Sequence, residues 1–314
     1  MGGLWVELGR KLADRWVSLL VLPGLLYLAV AAAAHTLGQR HALDAARLIQ
    51  EVTAAAERPA VTGVGGQIVL VGAIVVAAAA AGLVAEATGA LVERLVLAVG
   101  WATWPLGLSA LADWRVRRRQ ERWDNAHRVY HEQRQLTLAP DPDDRPESAV
   151  GRAALAKRTR IALERPERPT WSGDHVQAVA LRLDREFRLD LAVLWPYLES
   201  ALPEALGTRI TEARAALARA TTIAGWAVLY APLILWWWPA ALMTLVLAAT
   251  ARHRSRGCVD AYARLLDVAA RLHTADLATR LGFDHTGPLT PALGARLTHH
   301  LRSEPPPPPA SPGG

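Results

Sequence analysis

Few residues of this chain combine the type and the spacing that chemistry requires. The nearest candidate for a catalytic group is Asp184, Arg185, Glu186, Arg188 and Asp190. Its signs alternate along a helical stretch, the pattern of a solvated face laced with ion pairs. Cys258 is the single cysteine, so no intramolecular disulfide and no CxxC metal or redox site can form. Arg254 and Arg256 beside it would favour a thiolate, but a lone cysteine next to an apolar segment reads as inert. The ten histidines form no HExxH pattern. His285 and the pair His299-His300 lack carboxylates at ligand spacing. The turn Thr62–Gly66, TGVGG, is Gly-rich, but no Lys or Ser/Thr stands in Walker position and no strand precedes it. The sequence therefore predicts no catalytic residue, no metal and no cofactor, and points away from an enzyme.

The residue types suit a boundary between lipid and water instead. Trp101, Trp104, Trp236, Trp237 and Trp238 are amphipathic rings of the kind that collect at headgroup level. Arg115, Arg117, Arg118 and Arg119 form a basic cluster. Beside a membrane each would attract anionic headgroups by about 1 kcal/mol. A nucleic-acid partner is the weaker reading, because no nucleic-acid-binding motif accompanies the cluster. The charge of +6 comes almost wholly from Arg, with Lys only at 11 and 157.

The elements that hold these residues are apolar runs. Thr221–Ala251 contains no charged residue, with Arg214 and Arg219 before it and Arg252, Arg254 and Arg256 after it. Its length of 31 residues lies between the roughly 20 that one span needs and the roughly 40 that two need. Arg-rich flanks on both sides require an even number of crossings. The segment is thus read as a tight hairpin or a shallower re-entrant pair, with Trp236–Trp238 at its outer tip between Pro232 and Pro239. A single kinked helix is the rival. Val17–Gly38 follows Arg10, Lys11 and Arg15 and is read as an uncleaved first span. It is longer than the roughly 7–15 apolar residues of a signal peptide; a cleaved signal ending at Ala32-x-Ala34 is the alternative. The second span runs from Gln67 to Ala85, with small residues at Ala77–Ala81, Gly82 and Ala85 that let helices approach closely. Residues 95–112 lie at the inner face or extend that helix, because a third crossing would put the Arg cluster outside.

The polar parts read as helices. Residues 42–52 suit a short amphipathic helix, and 113–134 a basic one. Leu138–Ser148 is a Pro/Asp loop. Arg152–Glu164 and His175–Leu198 follow, the latter broken near Phe187–Asp190 and stopped by Pro196. Pro203 opens a helix that enters the membrane as one rod. One or two helices follow Arg256, and Thr290-Pro291 caps a last one.

The stretches RPERPTW (Arg165–Trp171), AVALRLDREFRLDLAVLWPYL (Ala178–Leu198), LPEAL (Leu202–Leu206) and YARLLDVAARLHTADLATRLG (Tyr262–Gly282) together resemble a family of bacterial, actinomycete-type multi-pass membrane proteins of unknown function. The resemblance covers residues 165–282. Phe187-Arg188 stands where that family more often has Tyr-Gly. It implies an all-helical, cytoplasm-facing architecture and supplies no activity, cofactor or catalytic residue.

The expectation is an all-α integral membrane protein with two transmembrane helical hairpins and a helical cytoplasmic module. Residues 1–113 form the first hairpin with its interfacial segment, 114–220 a cytoplasmic helical region, and 221–251 the second hairpin. Residues 252–303 form cytoplasmic helices and 304–314 a disordered Pro-rich tail. The protein would lie in the bacterial inner membrane with both termini cytoplasmic. Its partners would be the bilayer, anionic headgroups, and a cytoplasmic protein or further copies of itself, with no nucleic acid. A membrane-anchored scaffold or adaptor is the first functional reading, with Trp195 and Tyr197 as partner-surface residues. An oligomeric pore-forming or membrane-perturbing effector is the second.

Overall fold

The computed structural model describes residues 21–57, 63–98, 100–103, 105–137 and 149–302. Among these it is all-helical: ten α-helices, two short 3-10 turns and no strand. The basic start of the chain, Val17–Leu20, Pro59, Thr62, Trp104, the loop Leu138–Ser148 and the Pro-rich segment 304–314 lie outside the described residues. The chain forms two compact units, one of residues 1–94 with 216–255 and one of residues 95–215 with 256–314.

The first unit contains α1 (Leu22–Leu37), α2 (Ala45–Ala56), α3 (Val64–Leu97) up to Arg94, α8 (Glu204–Tyr230) from Ala216, and α9 (Pro239–Arg280) up to Ser255. Small residues build its interior: Ala34, Ala78, Ala85, Ala220, Ala227 and Ala240 are all buried. A Cβ added at Gly225 of α8 would sit 2.2 Å from the Ala85 carbonyl oxygen of α3, and one at Gly89 would sit 2.8 Å from Cα of Thr222. Contact positions rise along α8 as they fall along α3, so these helices run antiparallel. Backbone-to-backbone approach of this kind needs glycine and alanine on both faces. An aromatic knot adds to it. The Tyr27 ring lies 5.3 Å from Tyr230 and 6.1 Å from Trp226, with Leu233, Ala240, Met243 and Leu247 packed around them.

Between α8 and α9 the chain passes through a 3-10 turn, Ala231–Leu235. Pro232 lies at its start and Pro239 opens α9, so two backbone donors are missing. The carbonyls of Ile234 and Leu235 accept from the Gln39 side-chain amide at 2.8 and 3.1 Å. The Trp238 amide donates to Gln39 Oε1 at 3.1 Å, and the Trp237 indole donates to the Ala42 carbonyl at 2.8 Å. The outside of this unit is apolar. Ile68, Val69, Val71 and Val76 of α3 are 60–72% exposed. Gly65–Leu97 and Glu204–Leu235 are long and apolar enough to cross a membrane.

The second unit contains the end of α3, a 3-10 turn at Trp101–Thr103, α4 (Leu106–Thr137), α5 (Ala149–Ile161), α6 (Trp171–Phe187), α7 (Leu191–Ala201), α8 up to Ala215, α9 from Arg256, and α10 (Pro291–Leu301). Its core is leucine-rich: Leu183, Leu189, Leu194, Leu198, Leu266 and Leu277 pack with Ala263, Ala269 and Ala270. Caps set the helix ends. The hydroxyl of Thr170 accepts from the Gly173 amide, the Asp190 carboxylate from the amides of Ala192 and Val193, and the Thr290 hydroxyl from Leu293. Arg188, left-handed at φ 53°, ends α6.

Three sequence expectations change here. Pro196 does not stop its helix; it sits inside α7, which continues to Ala201. The carbonyl that its missing N–H would have engaged belongs to Ala192, which is exposed and solvated. The chain turns instead at Leu202, whose extended ψ of 147° is what the following Pro203 imposes. Beyond Arg252 the chain does not start a new helix, because α9 runs unbroken for 42 residues. No proline interrupts it, and one glycine costs a helix only about 1 kcal/mol. Of residues 95–112, read as lying at the inner face or extending the second span, only Leu95–Leu97 continue α3; Ala98 and Gly100 take positive φ before α4 begins at Leu106.

The close packing of the first unit predicts that Gly225→Ala lowers its unfolding midpoint in mild detergent, at a cost of about 1–3 kcal/mol for overpacking. Gly72→Ala on α3, where an added Cβ meets nothing within 4 Å, should leave the midpoint unchanged.

Candidate functional site

The segment Ala162–Thr170 joins α5 to α6 and contains Pro166 and Pro169, which donate nothing from the backbone. Side chains of α4 satisfy its carbonyls. Arg119 donates to Ile161 and Arg168 at 2.8 and 2.6 Å, Gln120 to Pro166 at 2.8 Å, Trp123 to Ala162 at 3.1 Å and Arg115 to Pro169 at 2.9 Å. Asp174, in the first turn of α6, closes the arrangement. It accepts from the amides of Glu167 and Arg168 at 3.0 and 2.7 Å and pairs with the Arg119 guanidinium. Burial pushes the Asp174 carboxyl up and the Arg119 guanidinium down, and their mutual attraction opposes both shifts. The same segment finishes α3. Arg168 donates to the Leu97 carbonyl at 3.0 Å and Thr170 to that of Val96 at 2.5 Å, so two orphan carbonyls of a helix end are met.

This knot fixes Arg168 at the rim of an open groove of about 570 Å³. Val176, Gln177, Ala180, Leu181 and Asp184 of α6 form one wall, and the start of α7 through Leu191, Ala192, Trp195 and Pro196 forms another. Tyr262 and Leu266 of α9 also line it, and Asp190 and Arg302 meet at one end. Arg302 donates to Asp190 at 2.8 Å. That bond, helped by the amides of Val193 and Ala192, holds the Asp190 carboxyl below its usual range against partial burial. Burial pushes the Tyr262 phenol up, so it remains a neutral hydroxyl. The volume is that of a ligand site, and its lining combines aromatic and aliphatic side chains with the charged Arg168, Asp184, Asp190 and Arg302.

The residues singled out from sequence fall in different places. Trp195 lines the groove. Tyr197, two residues on, is exposed at 42% and is not part of it, since helix positions two apart do not share a face. Of the Arg cluster, Arg115 and Arg119 are engaged with the Ala162–Thr170 segment. Arg117 and Arg118 are exposed, and Arg118 lies over the Trp114 ring at 5.2 Å. Trp101 sits half-buried in its 3-10 turn. Trp236 and Trp238 are exposed while Trp237 is docked on Ala42. The charged run on α6 is paired: Arg185 with Glu164 at 2.6 Å and Glu186 with Arg271 at 2.6 Å. Among the described residues no group of His, Cys, Asp and Glu is placed to hold a metal ion.

Sequence reasoning missed Asp174, Arg168 and Tyr262. The first two had a signal: two prolines within four residues leave carbonyls that some nearby side chain must satisfy. Comparison with family models, curated proteins and solved structures finds no match to the chain.

Removing one partner of a buried pair leaves the other charge uncompensated, so Asp174→Ala should destabilise the second unit by about 3–5 kcal/mol. Asp124→Ala, which breaks the exposed pair to Arg165, should leave stability nearly unchanged, because solvent screens such a pair. Denaturant midpoints of the two variants in mild detergent check both outcomes.

Proposed function

We propose that the protein is a membrane-anchored adaptor. The first unit is embedded in a bilayer, and the second is a cytoplasmic docking module whose working surface is the Trp195 groove. The observation that carries this reading is the exposed apolar surface of α3. Valine and isoleucine side chains stand open over the first three turns of a long helix. Soluble monomers seldom leave apolar patches larger than a few hundred Å² in water, whereas lipid solvates such a surface at no cost. The exposed Trp236 and Trp238 suit one headgroup layer, and the exposed Arg252, His253 and Arg254 suit the opposite, cytoplasmic one.

In this reading α1 and α3 form one hairpin and α8 with the start of α9 the other, in a bacterial inner membrane. The apolar start of α9, thirteen residues from Pro239 to Ala251, is about 20 Å long at 1.5 Å per residue. It is shorter than a full span, and local thinning of the bilayer meets that mismatch. The resemblance of residues 165–282 to multi-pass membrane proteins agrees with this architecture.

The test is recovery of the tagged full chain from native membranes in mild detergent, followed by mass spectrometry. A cytoplasmic protein should copurify in near-stoichiometric amount and be lost with Ala192→Arg, which places a bulky charge at an exposed position of the groove wall. Recovery of a homo-oligomer alone, together with dye release from reconstituted liposomes, would overturn the adaptor in favour of a pore.

A further inference from the structure

The groove has an aromatic floor and wall, free donors, and a proline run attached at its edge. Arg302 lines the groove and is bonded to Asp190 there. The chain continues from Arg302 as Ser303, Glu304 and five consecutive prolines, Pro305–Pro309. We propose that this Pro-rich segment is the resident occupant of the groove and docks in cis as a polyproline II strand. The proposal rests on the groove being the docking surface of the module, and it names both the ligand class and the regulation of that surface.

Three physical arguments carry it. The first is chemical fit. A polyproline II strand presents flat prolyl rings and carbonyls that no internal hydrogen bond satisfies, and it is recognised by aromatic-lined grooves that supply donors. Trp195 and Tyr262 give the aromatic faces, and Val176, Ala180 and Leu181 give apolar contact. Among the described residues neither the Trp195 indole N–H nor the Tyr262 hydroxyl has a hydrogen-bond partner. Burial keeps the Tyr262 phenol protonated, so both are donors.

The second argument is reach. Trp195 lies five residues beyond Asp190 along the start of α7, a rise of about 7.5 Å at 1.5 Å per residue. Polyproline II advances about 3.1 Å per residue, so the seven residues from Ser303 to Pro309 extend about 20 Å. A strand leaving Arg302 beside Asp190 therefore reaches Trp195 with length to spare. The third is entropy. Proline holds its φ before binding, so little freedom is lost on docking, and a short tether gives an effective concentration in the millimolar range. Contacts too weak to hold a free peptide suffice for a tethered one. A cytoplasmic partner with its own Pro-rich segment must displace the resident, so the segment sets a threshold for docking.

The experiment uses the full chain in native membranes, with a photo-crosslinking amino acid in place of Pro307. Irradiation should give a monomer-sized product whose crosslink maps to a peptide containing Trp195 or Tyr262. Ala192→Arg and Trp195→Ala should each abolish that product, while Tyr197→Ala should keep it. Ala192 is exposed, so its variant remains informative if Trp195→Ala fails to fold. A dimer-sized product would assign the segment to a second copy and overturn docking in cis. A crosslink to lipid, to another protein or elsewhere on the chain, or no crosslink, would overturn it as well. If the crosslink misses the groove but Ala192→Arg still releases the copurifying partner, the docking surface stands and only the resident strand falls.

Discussion

Asp174 is where the second unit's local rules are reconciled. Pro166 and Pro169 give the segment before α6 its extended course, and that course leaves its carbonyls without backbone partners. Arg115, Arg119, Gln120 and Trp123 of α4 meet them, and Asp174 takes the two amides that point the other way. Burying an ion pair is expensive in itself, and such pairs serve geometry better than stability. Here the geometry has three outlets. The pair orients Arg119 towards two carbonyls, places Thr170 to cap α6 while it finishes α3, and sets the Arg168 guanidinium against Gln177 at the groove rim. The groove therefore depends on a carboxylate that does not line it.

The first unit follows the opposite logic. Apart from the aromatic knot around Tyr230, its close helix contacts are made by alanine and glycine, and many large apolar side chains of α3 face outward. In water that arrangement would forgo most of the hydrophobic stabilisation available to the chain, at roughly 25 cal/mol per Å² of apolar surface left exposed. In lipid it is the expected one, because association there comes from close packing rather than from burial. Gln39 shows the accompanying rule for polar groups. One side-chain amide meets two carbonyls and one amide of the turn between α8 and α9, a connection that would otherwise leave backbone groups unpaired.

Much of the secondary structure was legible in the sequence because its signals are local. The break at Phe187–Asp190, the Thr290-Pro291 cap, the basic helix and the rod that starts after Pro203 all follow from capping chemistry and apolar periodicity. Pro196 misled because a proline inside a helix can be tolerated when the carbonyl it strands can reach water. For the Arg cluster, charge reports attraction to anything negative, whether lipid or carbonyl, and only the fold shows that Arg115 and Arg119 donate to a proline-rich segment. Tyr262 was not legible as a groove residue, since it lines the groove with Trp195 from 67 positions away, on helix α9 rather than helix α7.

The central claim is that the first unit crosses a membrane, with its tryptophan turn on one side and its Arg252–Arg254 end on the other. The direct measurement is labelling with a membrane-impermeant maleimide in sealed right-side-out vesicles. Cys258→Ser removes the native thiol, and a single cysteine is placed by Trp236→Cys or Arg254→Cys. The account predicts that position 236 labels in sealed vesicles and position 254 only after permeabilisation. Equal labelling of both positions before permeabilisation, or of neither, would contradict it.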